Sequence, residues 1–139
     1  MGLPFIELQT ALYQRLVNDT TLMSLVTDVV DHVDEEMTYP YVVIGEPSLV
    51  FEDIKVADVS VFSTTLHVWC SKEVYSGNGR TYQVLNAIYE ALKYKLNIQG
   101  YEVVKTQPSE PRVFDDIDNL TKHGVITYQF TLKRKGANA

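Results

Sequence analysis

With a single cysteine, Cys70, the 139-residue chain can form no internal disulfide and falls short of any cysteine-based zinc pattern. Its core must hold by packing, which a chain of this length can manage as one domain. Long apolar runs are also missing. Nothing approaches the roughly 20 residues of a membrane span, and Glu7 and Gln9 interrupt the N-terminal MGLPFIELQTALYQRL too early for a signal-peptide core. The expectation is a chain made in the cytoplasm with no membrane partner. Positive charge is scarce, with 12 Lys and Arg against 18 Asp and Glu and a net charge of −6. Nucleic-acid binding depends on clustered Lys and Arg, so specific phosphate contacts are not expected. The basic cluster is Lys133, Arg134 and Lys135, whereas acids gather at 31–36, 52–58 and 110–118.

What is present is a pattern of elements. Pro4 suits the start of a helix, and Phe5, Leu8, Leu12 and Leu16 follow at spacings of three and four, which predicts an amphipathic helix over 4–17. Asp19 or Thr20 can cap a second, short helix through Leu22, Met23, Leu25 and Val26. Val29, Val30 and Val33 suit a brief strand, and YVVIGE at 41–46 a better one, with Pro47 at a bend or edge. The strongest strand is 58–71, DVSVFSTTLHVWCS, rich in β-branched and aromatic residues. Tyr82, Leu85, Ile88, Tyr89, Leu92 and Leu96 predict the main helix over 79–97, with Asn78 or Ser76 as cap and Gly100 beyond its end. A strand at 101–106, an acidic loop or strand edge at 108–119 and a strand at 125–133 complete the order ααβββαββ. This is an α+β pattern, with a largely antiparallel or mixed sheet packed against one long helix and the N-terminal helices. Residues 1–135 form the domain and 136–139 a short tail.

A thiol beside an imidazole is the recipe for a cysteine nucleophile, and His67 lies three residues before Cys70. Alternation along a strand separates them. Phe62, Leu66, Val68 and Cys70 share the core side, and His67 and Trp69 point the other way. In the last strand Ile126, Tyr128, Phe130 and Leu132 should face the helices. His32 among Asp31, Asp34, Glu35 and Glu36 lacks the regular acid spacing and glycine of a calcium loop. SGNGRTYQ lacks the lysine of a phosphate loop. His123 has no evident partner, and Gly124 after it suits a turn or bulge. Of the nine tyrosines, Tyr82 and Tyr89 fall on the helix stripe predicted to be buried, and others suit an interface. No cofactor is implied.

The segments ALYQRL, LMSLV, YPYVVIGE, TLHVWCS, a long helix and LTKHGVITYQFTL, in that order, resemble the small tail-completion proteins of long-tailed bacteriophages. That group includes tail-to-head joining and tail-terminator proteins. The resemblance spans nearly the whole chain, apart from 53–59 and 108–116. It implies a non-enzymatic virion protein at the head-tail interface, forming a ring of six copies. Its partners would be the tail tube protein and the head connector or stopper, with DNA passing through unbound. The alternative is a small-ligand module or enzyme using His67, Trp69 and nearby tyrosines, which requires these side chains to line an enclosed pocket. Within a ring, unlike charges of neighbouring subunits would meet. The expected contacts are Glu110, Asp115, Asp116 and Asp118 on one side and Lys133, Arg134 and Lys135 on the other, and neutralising the three aspartates would leave the monomer's stability unchanged.

Overall fold

The computed structural model describes residues 2–34, 36–53, 58–72, 77–118 and 120–136, with Asp53 in its backbone only. Ser76, one of the two candidate caps, lies outside them. The elements are α1 (Phe5–Val17), α2 (Thr20–Leu25), β1 (Asp28–Val30), β2 (Tyr41–Ile44), β3 (Ser48–Asp53), β4 (Val59–Ser71), α3 (Gly79–Ala91), β5 (Tyr101–Asp115) and β6 (Thr121–Arg134). The fold is α+β. Its sheet is mixed, with the order β1-β2-β4-β6-β5 and β3 beside β4, and β1 and β2 form its parallel pair.

The helices sit on one face because their apolar stripes and the inward residues of the sheet have the same need. Leu8, Leu12 and Leu16 of α1 are fully buried, and Phe5 is half-exposed with its ring edge-on to Phe62 at 5.2 Å. Asp19 caps α2 by accepting from the Leu22 amide at 2.8 Å. Along β4 every second residue is buried, and Phe62, Leu66, Val68 and Cys70 face the core as their alternation predicts. Ile126, Tyr128, Phe130 and Leu132 do the same from β6. Each such aliphatic or aromatic side chain contributes about 1.5–3 kcal/mol on burial.

Four expectations change. The segment after Pro47 forms β3, a strand absent from the predicted order; its Leu49, Val50 and Phe51 are exposed and a register shift interrupts its pairing with β4. Helix α3 ends at Ala91, six residues before the predicted 97. The guanidinium of Arg15 takes the carbonyls of Ala91, Tyr94 and Lys95 at 2.9–3.1 Å, so a cation holds the C-terminal end where the helix dipole favours one. Leu92 and Leu96 remain buried beyond it. Tyr82 and Tyr89 are exposed, because the buried stripe is centred on Val84 and Ile88 and both tyrosines lie about a third of a turn to one side. Finally, β5 runs on through Pro108 and Pro111 to Asp115; as an edge strand it tolerates prolines, with Pro108 paired to Tyr128 and Pro111 inside the register shift at 109/112.

Gly124 is no turn. It lies inside β6, where a Cβ would sit 2.8 Å from the Thr81 methyl and 3.3 Å from Leu85 and from Val68. Glycine there lets α3 cross the sheet closely.

Candidate assembly surfaces

The helices α1, α2 and α3 lie on one side of the sheet, which leaves the other side of β2, β4, β6 and β5 without a helical cover among the described residues. Register assembles a row across that face. Tyr41 pairs with Trp69, Trp69 with His123 and His123 with Phe114, so four aromatic side chains from four strands lie abreast. The Trp69 and His123 rings stack at 3.8 Å with 12° between their planes. Phe114 tilts against His123 at 4.7 Å, Tyr39 stacks on Tyr41 at 5.4 Å, and the Arg112 guanidinium lies 5.8 Å from the Phe114 ring.

His123 does have a partner, and it comes from the neighbouring strand. His67 Nδ1 and His123 Nε2 are 2.8 Å apart, so one ring donates its N–H to the other. Burial pushes both imidazoles below their ordinary value. For His123, desolvation first and the neighbouring His67 second bring it down to about 4. Both rings are therefore neutral near pH 7. Next along the face, Thr65 and Thr127 hydrogen-bond through their hydroxyls at 2.9 Å. This is an apolar-to-polar band on an open sheet face. Clefts of about 550 and 760 Å³ lie against α1, and neither is lined by His67 or Trp69.

Cys70 lies on the opposite face from His67, fully buried, with its thiol pushed up by desolvation. An alkaline thiol without a base is a packing group. His32 stays at the surface, 2.8 Å from the Asp31 carboxylate, and no group of three potential metal ligands occurs among the described residues.

The charged candidates fall at the two ends of the β5–β6 hairpin. At its tip, Asp115 bridges Lys122 at 2.7 Å and Lys72 at 3.1 Å, and these two ammoniums hold its carboxyl below the usual range. Asp118 accepts from the Leu120 and Thr121 amides and the Thr121 hydroxyl, which likewise depresses it. The Asp116 amide donates to the Thr121 carbonyl at 2.9 Å. Glu110 is exposed on β5, at the register shift, with a φ of 50°. At the other end Lys133 and Lys135 are exposed, while Arg134 lies over the Tyr101 ring and donates to the Gly2 carbonyl at 3.5 Å. Tyr101 pairs with Arg134 and Asp115 with Lys122, so the aspartates of the tip are separated from the basic set by the length of the ladder, and Glu110 lies part-way along it. At about 3.3 Å per residue that is roughly 40 Å. The fold does not bring the acidic tip and the Lys133–Lys135 end together within one chain.

The profile of the family described as tail completion protein gp17 matches residues 10–133. The chain belongs to that family. It is 30% identical over 126 residues to the tail completion protein gp17 of Bacillus phage SPP1, covering 90% of this chain and 91% of that one. The solved structure of bacteriophage SPP1 gp17 superposes with a TM-score of 0.65 at 28% identity, over 100% of this chain and 99% of the other. A chain from the virion of a native gene transfer agent particle shares the fold, with a TM-score of 0.80 at 20% identity over 91% and 94% of the two chains. As a member of the gp17 family this protein is a structural tail completion protein of the virion and not an enzyme. The matched span contains the whole aromatic row and the acidic hairpin tip. Of the basic end it takes in Lys133 and stops before Arg134 and Lys135. The row itself escapes sequence reading: its members are separated by up to 82 positions (Tyr41 to His123) and share only a register.

Proposed function

We propose that this tail completion protein acts as a closed ring of six copies that finishes the tail tube and joins it to the head connector or stopper, with DNA passing through its channel. The observation that carries the reading is the separation of charge along the β5–β6 hairpin. Glu110, Asp115, Asp116 and Asp118 lie towards one end and Lys133, Arg134 and Lys135 at the other, too far apart to meet except between copies. A contact between unlike surfaces of identical subunits is heterologous, and it closes into a ring when the rotation allows. Residues 1–135 serve as the ring-forming domain. A net charge of −6 suits a passage that must not hold phosphates. His67 and Trp69 lie on an open face rather than in an enclosed pocket, which disfavours the small-ligand reading.

Electron microscopy of particles from a phage lacking this chain tests the role. Unjoined heads and tails are expected from a joining protein, and tails of abnormal length from a terminator. Undiminished assembly would remove both, and a single copy per virion would remove the ring.

A further inference from the structure

The cleft of about 550 Å³ between α1 and β1 has an apolar lining that no other part of the described chain covers. Ile6 and Tyr13, nearly two helical turns apart on α1, line it at 77% and 44% exposure, and Val30 and Ile44 line it from the sheet. β1 is the terminal strand of the sheet order, so one edge of its backbone pairs with no strand among the described residues. A groove beside a free strand edge suits an extended segment, whose backbone can pair with the edge while alternate side chains enter the groove.

Charge selects the segment. Asp28 and Asp31 line the cleft, and no Lys or Arg does. From Leu16 to Ile54 the sequence holds nine Asp and Glu and no Lys or Arg, so the elements from α2 to β3 bring no such cation to it. The one basic residue of α1, Arg15, is held on the carbonyls of Ala91, Tyr94 and Lys95. His32 is the basic group at the rim, and its ring lies 2.8 Å from Asp31 and 3.8 Å from Asp34, two carboxylates against one imidazole. A segment bearing Lys or Arg is therefore drawn to this cleft.

We propose that the α1–β1 cleft receives an extended, Lys- or Arg-bearing segment of an adjoining, different virion protein, with apolar side chains against Ile6 and Tyr13 and the cation facing Asp28 and Asp31. A second copy of this chain is not the occupant, because its basic cluster is engaged elsewhere. Arg134 shares a small cleft with Glu52 and Asp58, and in the proposed ring the Lys133–Lys135 end faces the acidic hairpin of the next copy. This deepens the joining reading and rests on it.

The test uses the full chain in assembled particles, with the photo-cross-linker p-benzoylphenylalanine in place of Tyr13. Irradiation is expected to join it to a different virion protein, within a segment that mass spectrometry shows to bear Lys or Arg. Cross-linking of this chain to itself overturns the choice of occupant, and joining at a segment without Lys or Arg overturns the role of charge. No cross-link in joined particles that contain the chain overturns the docking and leaves the joining reading standing, whereas undiminished joining without the chain overturns both. The charge reversal Asp31→Lys with Asp34→Lys gives a second readout. Both side chains are at the surface, so the folded variant should keep its melting temperature. Its incorporation into particles should fall about tenfold, because like charges are now juxtaposed; native incorporation overturns the proposal. If the reversal unfolds the chain, Asp31→Asn with Asp34→Asn is read in the same way.

Discussion

At His67 and His123, 2.8 Å apart on neighbouring strands, one ring donates and the other accepts, so a second proton would set two cations face to face. The groups packed around them offer limited relief. Trp69, Phe114, Val43 and Val125 are uncharged, Arg112 lies over Phe114, and Asp116 alone pulls His123 upward. In the folded chain His123 titrates at about 4, below its ordinary 6.5, so between those values the unfolded chain binds more protons. Stability is therefore complete above 6.5 and is lost as pH falls from there toward 4. Melting curves followed across that window should drop for the native chain and flatten in His123→Phe, which keeps a ring in the row and removes the titrating group. A native melting temperature that holds level down to pH 4 would contradict this.

A second residue points the other way. Tyr128 is buried at 2% exposure, and its hydroxyl has no hydrogen-bond partner among the described residues. Burial, with Tyr89 nearby, pushes its phenol upward, so the hydroxyl stays protonated and contributes no charge. An unpaired buried polar group costs about 1–3 kcal/mol. Tyr128→Phe should leave stability unchanged or raise it by up to about 1 kcal/mol. A lowered urea midpoint would reveal a bond the hydroxyl makes.

Among elements, the closest approach is that of α3 to β6 over Gly124. Adding one methyl puts it 2.8 Å from Thr81, so the helix, which carries Thr81 and Leu85, must shift outward from the sheet. Gly124→Ala should destabilise by about 1–3 kcal/mol, as overpacking does. Thr81→Ser removes the obstructing methyl, and combined with Gly124→Ala it should recover part of the loss. A double-mutant cycle without coupling would show that the helix is not held there.

The same element shows what could be read in the sequence. The alternation of β4 and β6 was legible because one face of each is buried and the side-chain period is two. The stripe of α3 was legible through Leu85 and Ile88, but Tyr82 and Tyr89 carry apolar rings at nearly the same spacing, and pattern alone cannot separate the centre of a stripe from its flank. The end of α3 depends on Arg15, 76 residues away from the Ala91 carbonyl it binds. β3 was hidden because an exposed, bulged edge segment has no buried face to pattern it. His67 and His123 were both noticed, yet their pairing needed the register of β4 against β6.

At the scale of the whole molecule, the acidic tip has two jobs that a triple substitution would confound. Asp115 holds Lys72 and Lys122, and Asp118 orders the turn through Leu120 and Thr121. Replacing Asp115, Asp116 and Asp118 together by Asn should therefore lower the monomer's melting temperature, contrary to what the charge pattern alone suggests. Asp116→Asn is the cleaner probe of contact between copies, because the bond that orders this residue in the tip comes from its backbone amide. Its melting temperature should stay at the native value while its incorporation into particles falls at low ionic strength. Salt screens exposed charges over a Debye length of about 10 Å at 0.1 M and about 3 Å at 1 M, so native and variant yields should converge as salt rises. The charge exchange Asp116→Lys with Lys135→Asp should restore the low-salt yield if the two meet across the ring. Equal yields of Asp116→Asn and native chain at every salt concentration would confine this carboxylate to solvated surface.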